Sequence, residues 1–166
     1  KKKIEEALTL AITNNNSVIE YSEDDKSTSA YGDINLKQVI TSTRGNYWAL
    51  DNGGKPWHKT PSSTWVMKDK QNNSSLSFVD ITSDENSVWG LTGPLDNYKV
   101  YKKPVNASGV WVDEGNGIKI KKFKQMSASG KGWVWAVDKT GIVWNMKKEP
   151  GAIWSKTGDK NAKQVS

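Results

Sequence analysis

Apolar and polar residues alternate along this chain in short runs, and the runs recur at a spacing of about forty residues. Three of them share a pattern that ends in hydroxyl residues, and we name this pattern the first-strand word. It is written in Leu36-Lys37-Gln38-Val39-Ile40-Thr41, Phe78-Val79-Asp80-Ile81-Thr82-Ser83 and Phe123-Lys124-Gln125-Met126-Ser127. A period of two residues predicts β-strands at all three places.

A second word follows each first-strand word and joins an aromatic, a small and an aliphatic residue. We name it the anchor. Its copies are Tyr47-Trp48-Ala49-Leu50-Asp51, Val88-Trp89-Gly90-Leu91-Thr92 and Val134-Trp135-Ala136-Val137-Asp138, with a degenerate copy in Thr9-Leu10-Ala11-Ile12-Thr13. Trp48, Trp89 and Trp135 occupy matched positions, which is what packing between repeated units requires. We therefore predict a structural role for these three residues.

Each unit continues with a turn rich in Asn, Asp and Gly, a third apolar run and a closing aromatic residue. The third runs are at 54–58, 98–102 and 141–145, and the closing residues are Trp65, Trp111 and Trp154, with Tyr31 as a weak copy. Asn52-Gly53 and Thr140-Gly141 are typical of hairpin turns. Four strands in each unit predict an all-β fold, a β-propeller of four-stranded antiparallel blades.

The repeats divide the chain into four units within a single domain at 1–166. Their approximate ranges are 1–35, 36–76, 77–119 and 120–162. Residues 163–166 restate the first-strand word, so we predict that the C-terminal strand pairs with Leu10 to Ile12 and closes the first blade. Two arrangements stay open, namely a ring of four blades and an arc that belongs to a larger ring or to an assembly of copies.

The repeated words resemble the tectonin family. Lys37-Gln38-Val39-Ile40, Phe123-Lys124-Gln125-Met126-Ser127, Val88-Trp89-Gly90-Leu91 and the closing tryptophans carry the resemblance, which covers three units well and the first poorly. Tectonin-type propellers are lectins that bind surface glycans such as lipopolysaccharide or modified sugars, and some members serve membrane traffic. The resemblance therefore implies a propeller lectin, with Leu10 and Tyr31 standing where the first unit would carry tryptophan.

The amino-acid composition argues against several kinds of functional site. The chain has no Cys and one His, His58, so neither thiolate catalysis nor a transition-metal site is expected, and we predict that His58 is a solvent-facing strand residue. Its net charge of +6 comes from 24 basic and 18 acidic residues, and Arg44 is the sole arginine. Base reading leans on bidentate arginines, so we predict no specific nucleic-acid partner. No catalytic constellation is evident, and we predict a protein that is not an enzyme and needs no cofactor.

Sugar binding calls for a flat apolar face and fixed polar groups around it. Trp133 is an extra aromatic residue where the other units have Asn46 or Ser87, and Lys131 lies beside it. Asn and Asp residues crowd the predicted loops, although the same residues also favour turns. The predicted ligand-binding residues are Trp133, Lys131, Asn46, Asn86, Trp57 and Asp138.

The leading hypothesis is a lectin that recognises glycans on cell surfaces through several blade-edge loops and gains strength by avidity. The alternative is a propeller that targets a protein or membrane, for example in a toxin or a traffic protein, with Lys-rich loops against lipid headgroups. Oligomers are compatible with both hypotheses. The apolar stretch Ala7 to Ile12 is too short for a signal or membrane segment. We expect action outside the cell or at its surface, with cytoplasmic storage as the alternative.

Overall fold

The structure is a computed structural model, and its strands follow the predicted words. It describes residues 8–12, 18–22, 28–31, 34–42, 45–71, 74–114, 122–128, 131–157, 162, 163 and 165. Within these ranges the regular secondary structure consists of β-strands and short 3-10 turns such as Pro94–Asp96, joined by turns and irregular segments. No helix in the described ranges is long and apolar enough to cross a membrane.

The strands form antiparallel sheets in the order in which they occur along the chain. Blade 1 contains β1 (Leu8–Ile12), β2 (Val18–Ser22) and β3 (Thr28–Tyr31). Blade 2 contains β4 (Leu36–Ser42), β5 (Asn46–Asp51), β6 (Pro56–Lys59) and β7 (Val66–Met67). A small hairpin, β8 (Lys70–Gln71) and β9 (Ser74–Ser75), follows. Blade 3 contains β10 (Phe78–Ser83), β11 (Ser87–Thr92), β12 (Val100–Pro104) and β13 (Val112–Asp113). Blade 4 contains β14 (Phe123–Ser127), β15 (Trp133–Asp138), β16 (Val143–Lys147) and β17 (Ser155–Lys156).

Blades 2, 3 and 4 share one register. The tryptophan of each anchor pairs with the fifth residue of its first-strand word, as Trp48 does with Ile40 and Trp89 with Thr82. Each first strand also carries an irregularity at its second residue, between Leu36 and Gln38 in blade 2 and at the matching places in blades 3 and 4. The repeated words therefore fold into repeated local geometry, bulge included.

Each of these blades has two faces, because successive side chains in a strand point to opposite sides. We name the face of the anchor tryptophan the forward face and that of the small anchor residue the rear face. The forward face of blade 2 packs on the rear face of blade 3 in a cluster with Trp48, Leu50, Phe78 and Trp111. The forward face of blade 3 packs on blade 4 in a second cluster. Trp48 and Trp89 are only 0% and 1% exposed, as packing between units predicts.

The third residue of each first-strand word joins one blade to the next. Gln38 Nε2 donates to the Ile81 carbonyl oxygen at 3.0 Å, and the Ile81 amide donates to Gln38 Oε1 at 3.3 Å. In blade 3 the corresponding residue is Asp80, whose Oδ2 accepts a hydrogen bond from the Met126 amide at 2.6 Å. We name these contacts inter-blade staples. They satisfy polar groups that packing would otherwise leave buried and unpaired.

A staple of the same kind occurs at the C-terminal end. Gln125 Nε2 donates to the Val165 carbonyl oxygen at 3.0 Å, and the Val165 amide donates to Gln125 Oε1 at 3.1 Å. Val165 therefore makes the same backbone contacts with blade 4 that Ile81 makes with blade 2. The predicted closing strand also includes Gln164 and Ser166, which lie outside the described residues. Among the described strand pairs β1 pairs with β2, so its pairing with the C-terminus stays a prediction.

The closing tryptophans stand immediately before the short outer strands β7, β13 and β17. All three indoles are buried, at 7% for Trp65, 1% for Trp111 and 7% for Trp154. Trp111 Nε1 also donates to the Lys68 carbonyl oxygen at 2.6 Å. These side chains therefore bind the outer edge of each sheet into the core rather than presenting a free aromatic surface.

Candidate functional site

A cleft of about 330 Å³ opens between blades 3 and 4. The turn between β10 and β11 forms one wall, and the turn before β15 together with the end of β16 forms the other. Its lining is Asp84, Glu85, Asn86, Ser87, Lys102, Lys131, Gly132 and Lys148. Apart from Gly132 every lining residue has a polar or charged side chain, which distinguishes the cleft from the apolar pockets of most small-molecule sites.

Asp84 organises this cleft. Its Oδ1 accepts the amides of Asn86 and Ser87, both at 2.8 Å, and its Oδ2 accepts Trp89 Nε1 at 3.1 Å. Lys148 Nζ lies 3.0 Å from the same Oδ2. Burial alone would raise the pKa of Asp84, but these hydrogen bonds and Lys148 together hold it below its usual value. Asp84 is therefore a fixed carboxylate that shapes the turn and anchors the opposite wall.

The cleft also contains a second carboxylate, Glu85, and the ammonium groups of three lysines. Lys102 is half-buried, with its Nζ 5.0 Å from the centre of the Trp89 ring, whereas Lys131 is exposed. Lys148 forms an ion pair with Asp84 across the cleft. Lys102 and Lys131 lie outside this ion pair, so their ammonium groups are available to a ligand. Blade 4 therefore contributes the ammonium groups of Lys131 and Lys148 to the cleft. Blade 3 contributes the ammonium group of Lys102, two carboxylates, and the amide and hydroxyl groups of Asn86 and Ser87.

Two of the six predicted ligand-binding residues, Asn86 and Lys131, meet in this cleft. Trp133 follows Gly132 in the chain but does not belong to the lining. Its indole is 36% exposed and lies on the forward face of blade 4, with Lys147 Nζ 5.9 Å from the ring centre. The structure thus places Trp133 beside the cleft rather than inside it.

Trp57 and Asp138 form side-chain hydrogen bonds within β-hairpins. Asp138 Oδ2 accepts Trp144 Nε1 at 3.0 Å, and its Oδ1 accepts the Thr140 and Ile142 amides at 2.8 and 3.0 Å. Trp57 Nε1 donates to Asp51 Oδ2 at 3.0 Å in the equivalent hairpin of blade 2. Burial alone would raise the pKa of Asp138, but its hydrogen bonds hold the pKa below the usual value. The structure leaves both residues away from the cleft.

Asn46 is also away from the cleft. It is 7% exposed, and its Oδ1 lies 2.9 Å from Nε2 of His58, whose ring packs on Trp48 at a centroid distance of 4.9 Å. Burial and then the charges of Lys68 and Lys103 lower the pKa of His58 to about 4. His58 is therefore neutral at pH 7 and buried, whereas the sequence predicts a solvent-facing strand residue. That prediction was wrong because the next blade covers this strand.

Sequence reasoning missed six of the cleft residues, namely Asp84, Glu85, Ser87, Lys102, Gly132 and Lys148. Lys102 occupies the third-strand position that His58 and Asn145 hold in the other blades, because each pairs with an anchor tryptophan. A comparison of the repeats at that position would have shown a charge facing the blade interface. The described residues contain no group of three or more His, Cys, Asp or Glu side chains that could hold a metal ion.

No family model matches the chain, and no curated protein matches it either. Solved β-propellers do. Virginiamycin B lyase from Staphylococcus aureus is similar with a TM-score of 0.64 and 11% identity, over 91% of this chain and 55% of that one. BamB from Moraxella catarrhalis matches with a TM-score of 0.61 and 12% identity, over 90% of this chain and 46% of that one.

YCF48 from Cyanidioschyzon merolae also matches, with a TM-score of 0.61 and 14% identity, over 90% of this chain and 55% of that one. This chain thus spans about half the length of the solved structures that it matches. Identities this low show the fold alone. The prediction of an all-β propeller is confirmed, and its function is a separate matter.

Proposed function

We propose that this chain is a carbohydrate-binding module, and that its cleft between blades 3 and 4 takes a sugar carrying an acidic group. One observation carries the proposal: the cleft is lined by polar and charged side chains, and of its three lysines only Lys148 is engaged by the ion pair with Asp84. Its volume of about 330 Å³ suits one or two sugar rings.

The polar lining matches the chemistry of a sugar. A pyranose presents hydroxyl groups that both donate and accept, and Asn86 and Ser87 offer complementary amide and hydroxyl groups. Lys102 and Lys131 provide donors for a carboxylate, sulfate or phosphate substituent. An apolar ligand would find little to bury itself against. The resemblance to tectonin lectins agrees with this proposal.

Binding should be tested first on an array of acidic and neutral glycans, lipopolysaccharides included, at low and high salt. Exposed charge attraction is screened within about 10 Å at 0.1 M salt, so binding that survives high salt reports contacts made inside the cleft. Salt-resistant binding to acidic sugars supports the proposal. Binding to vesicles of anionic lipid in place of any glycan would instead favour a membrane-targeting module.

The decisive variant is Lys131→Ala, with Lys70→Ala as its matched control. Both lysines are exposed, so neither change should alter stability, but only Lys131 lines the cleft. Loss of one charge-assisted hydrogen bond should weaken the affinity for an acidic glycan about tenfold, as measured by titration calorimetry. The Lys70→Ala affinity should stay at the wild-type value. Equal effects of the two changes would refute a site in the cleft.

A further inference from the structure

Two basic side chains face each other at the boundary between blades 2 and 3. His58 pairs with Trp48 and therefore lies on the forward face of blade 2. Lys103 pairs with Val88 on the rear face of blade 3, which packs on that forward face. Both residues are buried, with 8% of His58 and 4% of Lys103 exposed. The packing of the two blades thus brings a histidine and a lysine together away from solvent.

Lys68 adds a third basic side chain to this boundary. It is half-buried, and its carbonyl oxygen accepts a hydrogen bond from Trp111 Nε1 at 2.6 Å. The Trp111 ring in turn packs on Trp48 with 5.7 Å between the ring centroids. Burial is the main cause of the lowered pKa of Lys103, and the charge of Lys68 lowers it further. We name His58, Lys68 and Lys103 the basic cluster.

The basic cluster differs from the cleft at the next boundary in its balance of charge. In the cleft, Lys148 forms an ion pair with Asp84. The equivalent residue of blade 2 is the neutral Ser42, since each stands two residues after the partner of the anchor tryptophan. Within the described part of the chain, no carboxylate forms an ion pair with Lys68 or Lys103. Buried charges in proteins are ordinarily paired, so the positive charge here calls for a negative partner.

The basic cluster lies at the outer edge of the two blades, close to solvent. Lys103 Nζ donates a hydrogen bond to the carbonyl oxygen of the exposed Gly109, and the next residue, Val110, is 49% exposed. His58 pairs with Val66, which is 47% exposed. An ammonium group has three N–H donors, and the Gly109 carbonyl oxygen accepts one of them. A small ion at this edge can therefore receive the remaining donors.

We propose that the basic cluster is a second binding site, and that it holds a phosphate or sulfate group. A tetrahedral dianion balances the two ammonium charges and accepts charge-assisted hydrogen bonds from Lys68 and Lys103. This site is separate from the cleft, because it lies at a different blade boundary and uses different residues. The oxyanion is either a free ion that stabilises the packing of blades 2 and 3 or a substituent of a larger ligand.

His58 reports on this site directly, because it is the sole histidine of the chain. Its ring proton resonances should be followed by NMR while inorganic phosphate is added at constant ionic strength. We expect a saturable shift and a rise in the pKa of His58, since a nearby negative charge favours the protonated ring. Sulfate should act in the same way and chloride should not. Resonances that do not move, or that move without saturating, would overturn the proposal.

The variant Lys103→Met removes the buried ammonium group with little risk to the fold. Met146 occupies the matching position of blade 4, so methionine suits this strand. Phosphate should raise the melting temperature of the wild type in a saturable way, and this effect should vanish in the variant together with the shift of His58. General stabilisation by phosphate acts equally on both proteins and cancels from the comparison. A response that persists in Lys103→Met would overturn the proposal.

A second pair of variants tests the half-buried lysine. Lys68→Ala should weaken phosphate binding about tenfold through the loss of one charge-assisted hydrogen bond, whereas the exposed Lys70→Ala should leave it unchanged. Equal affinities in the two variants would refute the site.

The cleft variant separates this proposal from the proposed function. Lys131→Ala should leave the phosphate titration of His58 unchanged, because Lys131 belongs to the cleft. Conversely, Lys103→Met should bind acidic glycans as the wild type does. Competition by a sugar phosphate at lower concentration than inorganic phosphate would identify the oxyanion as a substituent, and the reverse order would identify a free ion. A Lys131→Ala variant without the His58 shift would overturn the proposal of a second site.

Discussion

Asp138 shows how one side chain fixes a turn. Its two oxygens together accept hydrogen bonds from Trp144, Thr140 and Ile142, so the carboxylate closes the hairpin between β15 and β16 and satisfies a buried indole. Asp51 does the same for Lys55 and Trp57 in blade 2. Asx residues suit both turns and sugars, and residue type alone does not separate the two uses. That is why sequence reasoning placed Asp138 among the ligand contacts.

Replacing Asp138 should cost stability. Asp138→Ala leaves the buried Trp144 Nε1 without its acceptor, so we expect the free energy of unfolding to fall by about 2 to 3 kcal/mol at pH 7 in urea titrations. Because the pKa of Asp138 is lowered in the fold, the deficit should shrink as pH falls through that pKa. The control Asp96→Ala changes an exposed carboxylate and should stay within about 0.5 kcal/mol of wild type. A similar loss in both variants would contradict this account.

His58 gives the fold a dependence on pH. Its pKa is about 4 in the fold and 6.5 in an exposed chain, so protonation favours the unfolded state. The stabilisation is complete above pH 6.5 and is lost as pH falls towards 4, at up to about 1.4 kcal/mol per pH unit. His58→Gln should remove this slope. Asp80, whose pKa burial raises, titrates with the opposite sign in both proteins and cancels from the difference. Identical slopes in wild type and variant would rule out His58 as the cause.

At the scale of the strand, blade 3 uses glycine where blades 2 and 4 use alanine. A Cβ atom at Gly90 would lie 2.6 Å from the ring of Phe78, the first residue of β10. Blade 2 combines Ala49 with the smaller Leu36 in the same two places. The anchor strand and the first strand therefore exchange volume between blades 2 and 3, whereas blade 4 combines Ala136 with Phe123.

This exchange predicts a compensating pair. Gly90→Ala alone should lower the free energy of unfolding by about 1 to 3 kcal/mol through overpacking. Adding Phe78→Leu, which reproduces the pair found in blade 2, should recover part of that loss. Differential scanning calorimetry of the two single variants and the double variant measures the coupling. Strictly additive losses would show that the two side chains do not share the space.

At the scale of the whole molecule, the sequence predicts the blades better than it predicts the site. The first-strand and anchor words predict six of the strands of blades 2 to 4, because each word encodes its own alternation of buried and exposed positions. The small hairpin β8 and β9 was missed, since Lys70, Gln71, Ser74 and Ser75 carry no apolar alternation. Local pattern is enough for strands that pack in a repeated way.

The cleft depends on contacts that no local pattern shows. Lys148 forms its ion pair with Asp84 across the boundary between two blades, and Lys102 and Lys131 line the same cleft only because blade 4 packs on blade 3. The partners of the staple glutamines are backbone groups of the next repeat, which all sequences share. The sequence of one chain therefore contains the residues of such a site, but it does not show which of them lie together in the fold.

The staples also set an order of assembly. The Gln38 staple joins blade 2 to blade 3 at a sequence separation of 43, and the Gln125 staple joins blade 4 to Val165 at a separation of 40. A blade emerging from a ribosome thus finds its predecessor already formed and needs nothing from the distant end of the chain. Trp48 and Trp89 on the forward faces of blades 2 and 3 therefore stay exposed only until the next blade has been synthesised.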